Sequence, residues 1–263
     1  MSGASGGRPA IDPRIRQRRV QVRRGQGRRR LRILLAGLAV VAVVAGALVL
    51  LHTPLFRSRV VTVTGIHPNT PTAAIVAAAG LARPVPLIDV DPGAAAARVE
   101  ALPWVAGAEV TRHWPDGVNV AVTERAPVAV MAGPSTAWSQ VDATGRVLAV
   151  VPARPPSLVE LVVDTARGPL PPAPVGRTLP PVADPGLTVA ASLPPAFAAQ
   201  VTTVVVAPDA TVNLALSSGL TVELGTATDL SAKEEDVAAI IAHASLRGKK
   251  VIDVTVPDAP AVG

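Results

Sequence analysis

"TRHWPDGVNVAVTER", Thr111 to Arg125, gathers two Arg, one His, one Asp and one Glu into fifteen positions. Such density suggests either an acid-base site or a hairpin with a charged outer face. Pro115-Asp116-Gly117 has turn chemistry, and strict alternation after it puts Val118, Val120 and Val122 on one face of a strand. Asn119, Ala121 and Thr123 fall on the other face, so the charged residues cluster only near the hairpin ends. The hairpin reading prevails. No base and nucleophile are oriented toward each other, as catalysis would need. Arg112, Glu124 and Arg125 are expected to form surface ion pairs, His113 to be solvated, and Trp104 and Trp114 to add bulk to a core of Ala and Val.

Working outward, Val105 to His113 reads as the first hairpin strand and Val118 to Val130 as the second. Upstream, "RVVTVTGI" (59–66) alternates as a strand that Gly65 ends. In "NTPTAAIVAAAG" (69–80), Thr70 is the expected N-cap, Pro71 the first helical residue and Gly80 the terminator. Asp91 and Pro92 repeat that device before "PGAAAARVEAL", which Pro103 stops. The order strand, helix, helix, strand, strand predicts a small α+β domain over residues 57–126.

Downstream the pattern turns to β. "STAWSQVDATGRVLAVV" (135–151) predicts two strands joined at Asp142 to Gly145. Prolines crowd residues 152–195, yet "LVELVV" (158–163) and "GLTVAASL" (186–193) predict a short strand and a short helix inside ordered loops. A meander follows at Val201 to Ala207, Thr211 to Leu216 and Leu220 to Leu224. Ser231 and Glu234 suggest a capping box for a helix with Val237, Ile240, Ile241 and Ala244 on its apolar face and Gly248 as its stop. Val251 to Val256 is the expected last strand. These elements form a mostly antiparallel β domain over residues 127–257, with a tail at 258–263.

The net charge of +6 is unevenly placed. Up to Arg32 there are eleven arginines and one acid, Asp12; the remaining chain holds 14 basic and 18 acidic side chains. Ile33 to Leu51 is nineteen residues without a charge, about 28 Å as a helix, close to a bilayer's hydrocarbon thickness. Residues 31–52 are therefore expected to be one transmembrane helix, uncleaved, because the run exceeds a signal peptide's apolar core and no clear small-x-small cleavage site directly precedes His52. The arginines put residues 1–30, expected to be disordered, in the cytoplasm and the domains across the membrane. Anionic lipid is their expected contact. With no interleaved aromatics, nucleic acid is not.

The chain has no Cys, which excludes disulfides, thiolate nucleophiles and Cys-based zinc sites. His52, His67, His113 and His243 lie far apart, none with a metal-ligand neighbour spacing. Nucleophile-elbow and phosphate-loop motifs are missing. No catalytic, cofactor or metal residue is assigned, and the chain is read as a non-enzyme.

"PLIDVD" (86–91), "LPWVAGAEVTRHWPDGVNVAVTERAPVAV" (102–130) and "QVDATGRVL" (140–148) carry a resemblance. Pro-Trp-Val at 103–105, Val-x-Arg-x-x-Pro at 110–115, Val-x-Glu-Arg-x-Pro-Val-Ala at 122–129 and Val-Asp-x-x-Gly at 141–145, in that order behind one span, resemble the FtsQ/DivIB cell-division family. The resemblance covers about Leu31 to Val256. It implies a polypeptide-transport-associated (POTRA) domain, then an FtsQ-type β domain, on a septal scaffold linking early and late division components. Lys233 looks like a position on a Lys-containing helix of that family. The resemblance also implies partners of the FtsB/DivIC and FtsL type at the C-terminal edge, with other division membrane proteins meeting the POTRA domain and membrane helix. Asp253, Val254, Thr255, Val256, Pro257 and Asp258 are the implied dock, since an open strand edge offers backbone groups for strand addition. The competing readings are a POTRA chaperone of secretion or outer-membrane assembly, and a membrane-anchored cell-wall enzyme.

Overall fold

The computed structural model describes residues 13–68, 70–243, 248–256 and 261–263, with side chains from residue 29 onward except at 135 and 243. Helix α1, Pro13–Leu51, begins well before the apolar run. The expectation of an unstructured segment up to residue 30 is thus corrected for residues 13–30. Arginine is a good helix former, and a helix already started adds one hydrogen bond per residue fixed, so the apolar turns extend into the basic ones. Residues 29–51 form a span with none of its most apolar window buried in the protein. Ile33, near its start, is 63% exposed. Residues 1–12 lie outside the described residues.

The first domain comprises β1 (Val60–Thr64), α2 (Thr72–Ala78), α3 (Pro92–Glu100), β2 (Val105–His113) and β3 (Gly117–Glu124). The sheet order is β1-β3-β2, with β3 parallel to β1 and antiparallel to β2. Val118, Val120 and Val122 are buried, as their alternation requires, against Ile75, Ala95 and Val99 of the two helices. Asp91 caps α3 by accepting from the Ala94 amide at 3.1 Å. Thr70 does not cap α2. Pro71 occupies that position, and the Thr70 hydroxyl donates to Glu124 instead. Gly65 turns the chain out of β1 at φ +78°, and a Cβ there would sit 2.2 Å from the Val122 carbonyl oxygen. No other residue type fits that approach.

The second hairpin strand does not run to Val130. β3 stops at Glu124 and a new strand, β4 (Pro127–Ala132), opens in another sheet. Pro127 lacks the N–H a continuing ladder would use, so the chain changes sheets there. Trp114 also departs from expectation. It is 50% exposed at the hairpin tip, set edge-on to Phe56 rather than in the core.

The second domain continues with β5 (Trp138–Asp142), β6 (Val147–Val151), β7 (Val159–Thr165), β8 (Gly168–Pro169), α4 (Asp184–Ser192), α5 (Pro195–Ala198), β9 (Val201–Val206), β10 (Val212–Leu216), β11 (Thr221–Gly225), α6 (Leu230–His243), β12 (Val251–Asp253) and β13 (Ala261–Val262). The sheet order is β13-β12-β11-β10-β9-β7-β4-β5-β6, with β8 beside β7. Pairing is antiparallel except at β11/β12, β7/β9 and β4/β7. Helices α4 and α6 cover one core, which includes Leu161, Leu187, Val204, Leu214, Val222 and Val237. The strand and helix expected in the Pro-rich stretch are β7 and α4. The capping box expected at Ser231 is absent because α6 starts earlier, at Leu230, with the Lys233 amide bonded to the Asp229 carbonyl. Glu234 accepts from the Ser192 hydroxyl at 2.9 Å. Ala244, expected on the apolar face of α6, lies outside the described residues.

Candidate functional site

The C-terminal margin of the large sheet is built by three short strands. β12 lies parallel to β11 through Thr221/Val251, Val222/Ile252 and Glu223/Asp253. It ends at Asp253, three residues before the expected Val256. The cause is local: the Asp253 carboxylate accepts from the Thr255 amide at 2.9 Å, a side-chain turn that draws the backbone away from the ladder. That amide and the Thr255 side chain also hold the Asp253 carboxyl below its usual range.

The outer side of β12 is not open. β13 pairs with it antiparallel, Ile252 against Val262 and Asp253 against Ala261. The Gly263 amide donates to the Val251 carbonyl at 3.0 Å, and the Lys250 amide donates to the Gly263 carbonyl at 3.0 Å. Within the expected dock, Val254 is fully buried and donates its amide to Glu223, so its side chain belongs to the core. Thr255 and Val256 are exposed, Val256 at 61%. Pro257 and Asp258 lie outside the described residues.

Beneath this margin, Lys233 is buried with 1% exposure. Its Nζ donates to the carbonyls of Leu224 and Thr226, each at 2.9 Å. A lysine on α6 thereby clamps the end of β11, the strand that supports β12. Between α5 and α6 lies a groove of about 470 Å³ lined by Phe197, Ala238 and Ile241, with Glu234 and Glu235 on its wall. Burial pushes the Glu234 carboxyl up, and the hydrogen bond from Ser192 offsets this only in part.

The opening hairpin supplies the joint between domains. The Arg125 Nη1 lies 2.8 Å from Asp142 Oδ2, and its Nε donates to the Val105 carbonyl at 3.0 Å. Arg146 Nε donates across the same joint to the Pro103 carbonyl at 3.2 Å. Asp142 also accepts from the Thr144 amide and hydroxyl and the Arg146 amide. Burial alone would raise its pKa, but these donors outweigh it and hold it below the usual value.

Glu124 serves the first domain alone. It accepts from the His67 amide at 3.2 Å, from the Thr70 hydroxyl, and contacts the His67 ring. Burial opposes its ionisation, and these contacts more than reverse that. Arg112 donates to the Leu87 carbonyl at 3.3 Å, and Trp104 packs partly buried on the first core. The expectation of surface ion pairs is therefore replaced. Arg125 is an interdomain bolt, Glu124 a partly buried acceptor and Arg112 a backbone clamp. Arg146 escaped the sequence reading, although its place after an Asp-x-x-Gly turn marked it as a residue fixed near that turn.

Among the described residues no three His, Asp or Glu side chains gather as a metal site. One membrane-length helix, a β-α-α-β-β domain and a mixed sheet with a self-paired margin define a chain of one candidate membrane anchor followed by two folded domains. Residues 56–125 match the POTRA domain of FtsQ type, and residues 129–255 match the C-terminal domain of cell division protein FtsQ/DivIB. Proteins named cell division protein FtsQ are similar along most of the chain. That of Streptomyces venezuelae is 33% identical over 88% of this chain and 83% of its own length, and that of Streptomyces collinus 32% identical over 90% of each. The protein of Mycolicibacterium smegmatis is 33% identical over 89% of this chain and 66% of its own. The chain belongs to the FtsQ/DivIB family of cell-division proteins. Members are non-catalytic, membrane-anchored scaffolds that bind other division proteins. Neither the secretion-chaperone nor the wall-enzyme reading gains support.

Proposed function

We propose that this chain is a septal scaffold whose C-terminal sheet margin receives an extended segment from short single-span partners of the FtsB/DivIC and FtsL type. The arginine tail stays in the cytoplasm against anionic lipid, both folded domains lie across the membrane, and the POTRA domain and α1 meet other division membrane proteins. No step of this function is catalytic.

One observation supports the docking mode. The outward backbone groups of Val251 already accept strand addition, from a short antiparallel segment of the same chain. An incoming strand of matching register would use the same N–H and C=O groups. Thr255 and Val256, exposed just past β12, would flank it. Photo-crosslinking in dividing cells, from reactive residues placed at Thr255 and Val256, tests this. Capture of a small single-span coiled-coil protein supports the dock; adequate expression with no specific product removes it.

A further inference from the structure

Three segments of the first domain converge on the exit of the membrane helix, and each exposes apolar surface there. The turn at Pro54–Phe56 begins three residues after α1 and carries Leu55, 67% exposed. The turn at Leu87–Asp89 carries Ile88, 37% exposed, and the hairpin tip carries Trp114, 50% exposed. Val60, at the start of β1, adds a further 55% exposed side chain.

Their convergence is fixed by contacts rather than by chain proximity alone. His52 Nε2, one residue past α1, lies 3.4 Å from Asp89 Oδ1. The Phe56 and Trp114 rings meet edge-on with centroids 6.0 Å apart. The amides of Arg59 and Val60 donate to the Asp116 carbonyl at 2.9 and 3.1 Å, tying the hairpin tip to β1. The Ser58 amide donates to the Val85 carbonyl, and Ser58 Oγ accepts from the Val85 amide. Arg112 completes the set by donating to Leu87.

We propose that this face is a bilayer-docking surface, with Leu55, Ile88 and Trp114 seated in the interfacial layer of the leaflet where α1 ends. Continuity with the span selects lipid as the occupant. Leu55 lies four residues beyond Leu51, at most about 14 Å away even if the chain were extended. The connection is shorter than that. The Thr53 amide returns to the Leu50 carbonyl and the Phe56 amide to the Thr53 carbonyl, so the chain stays coiled at the exit. Tryptophan, with an apolar body and one N–H, is the side chain that favours this layer. Exposed Arg57 and Arg59 beside the patch suit anionic headgroups. Docking would hold the domain against the membrane instead of letting it swing from α1, which gives the second domain a defined height and bearing. The inference rests on the family's membrane anchorage and not on the partner-docking reading.

The chain has no native cysteine, so single introduced thiols can be labelled uniquely. The full chain in nanodiscs of mixed phosphatidylcholine and phosphatidylglycerol would carry a nitroxide at Leu55→Cys, Ile88→Cys or Val150→Cys. Val150, 54% exposed on β6 of the second domain, is the reference. Collision with oxygen relative to a water-soluble nickel chelate should be several-fold higher at residues 55 and 88 than at 150. Lipid brominated along its chains should quench a part of the tryptophan emission that Trp114→Ser lacks. Accessibility at 55 and 88 equal to that at 150, or quenching unchanged by Trp114→Ser, overturns the proposal.

Discussion

Arg125 joins the end of the first domain to Asp142 of the second, with 2.8 Å between guanidinium and carboxylate and side-chain exposures of 23% and 6%. Such a pair constrains the angle between two domains more than it adds stability, since desolvation offsets much of its attraction. Removing one partner is a different matter. Arg125→Ala leaves a buried carboxylate that retains its Thr144 and Arg146 donors, so a loss of about 1–3 kcal/mol is expected. Calorimetry should show that loss, and limited proteolysis should cut faster between residues 125 and 127.

The same carboxylate sets a pH dependence. Its pKa is lowered in the fold, so its contribution is complete above the unfolded value of about 3.9 and is lost as pH falls through the lower folded value. Asp142→Asn cannot titrate. Urea midpoints measured downward from about pH 5 should therefore fall less steeply in Asp142→Asn than in the wild type, mostly below about pH 4. Parallel slopes would remove Asp142 from the acid response.

Lys233 spends its charge on two carbonyls, those of Leu224 and Thr226, at 1% exposure. Lys233→Met keeps most of the volume and orphans both acceptors, at a cost of about 1–3 kcal/mol. Lys233→Ala adds a cavity, and large-to-small changes in cores cost about 2–5 kcal/mol. The alanine variant should be the less stable in denaturant titrations. Both should speed amide exchange in β11 and β12, because the clamp holds the strand on which β12 rests.

Gly186 sets two known effects against each other. In a helix, Gly→Ala is ordinarily favourable by about 1 kcal/mol. Here α4 lies so close to the sheet that an added Cβ would be 2.5 Å from both Leu161 Cδ1 and Val206 Cγ2. Overpacking costs about 1–3 kcal/mol, so it should win. Gly186→Ala is expected to lower the melting temperature, whereas relief by Leu161→Val in the same chain should recover part of it.

Local chemistry made most elements legible. Alternation located β1, β2 and the buried valines of β3, and Asp91-Pro92 located the start of α3, because those signals act within a few residues. The missed features are tertiary. Thr70 has the chemistry of a cap, but Glu124, 54 residues away, claims its hydroxyl. Trp114 has the volume of a core residue, yet it sits on a tip with Phe56 as its aromatic neighbour among the described residues. The expected dock includes one residue that belongs to the core, Val254, and assumes an open side that Ala261 and Val262 occupy. Periodicity could not reveal that occupation, since a two-residue strand carries no period.

That occupation has a measurable cost for any partner strand. The ties include the Gly263 amide on the Val251 carbonyl, the amides of Lys250 and Val251 on the Gly263 carbonyl, and Lys249 Nζ on the Val262 carbonyl. Each such bond is worth about 0.5–1.5 kcal/mol net, and ordering the segment takes back part of the sum. Displacing β13 should then weaken partner binding by about tenfold, equivalent to ~1.4 kcal/mol. Removing residues 261–263 should lift that cost and tighten binding of an FtsB/DivIC-type ectodomain by about the same factor, chiefly through faster association as the margin stands free. Val251→Pro provides the opposing control: it deletes the N–H that β12 turns outward and should weaken binding in both chain lengths. Titration calorimetry on the full chain in detergent can separate these outcomes. Equal affinity with and without residues 261–263 would mean that the partner adds outside β13 or elsewhere, and the margin of β12 would lose its role.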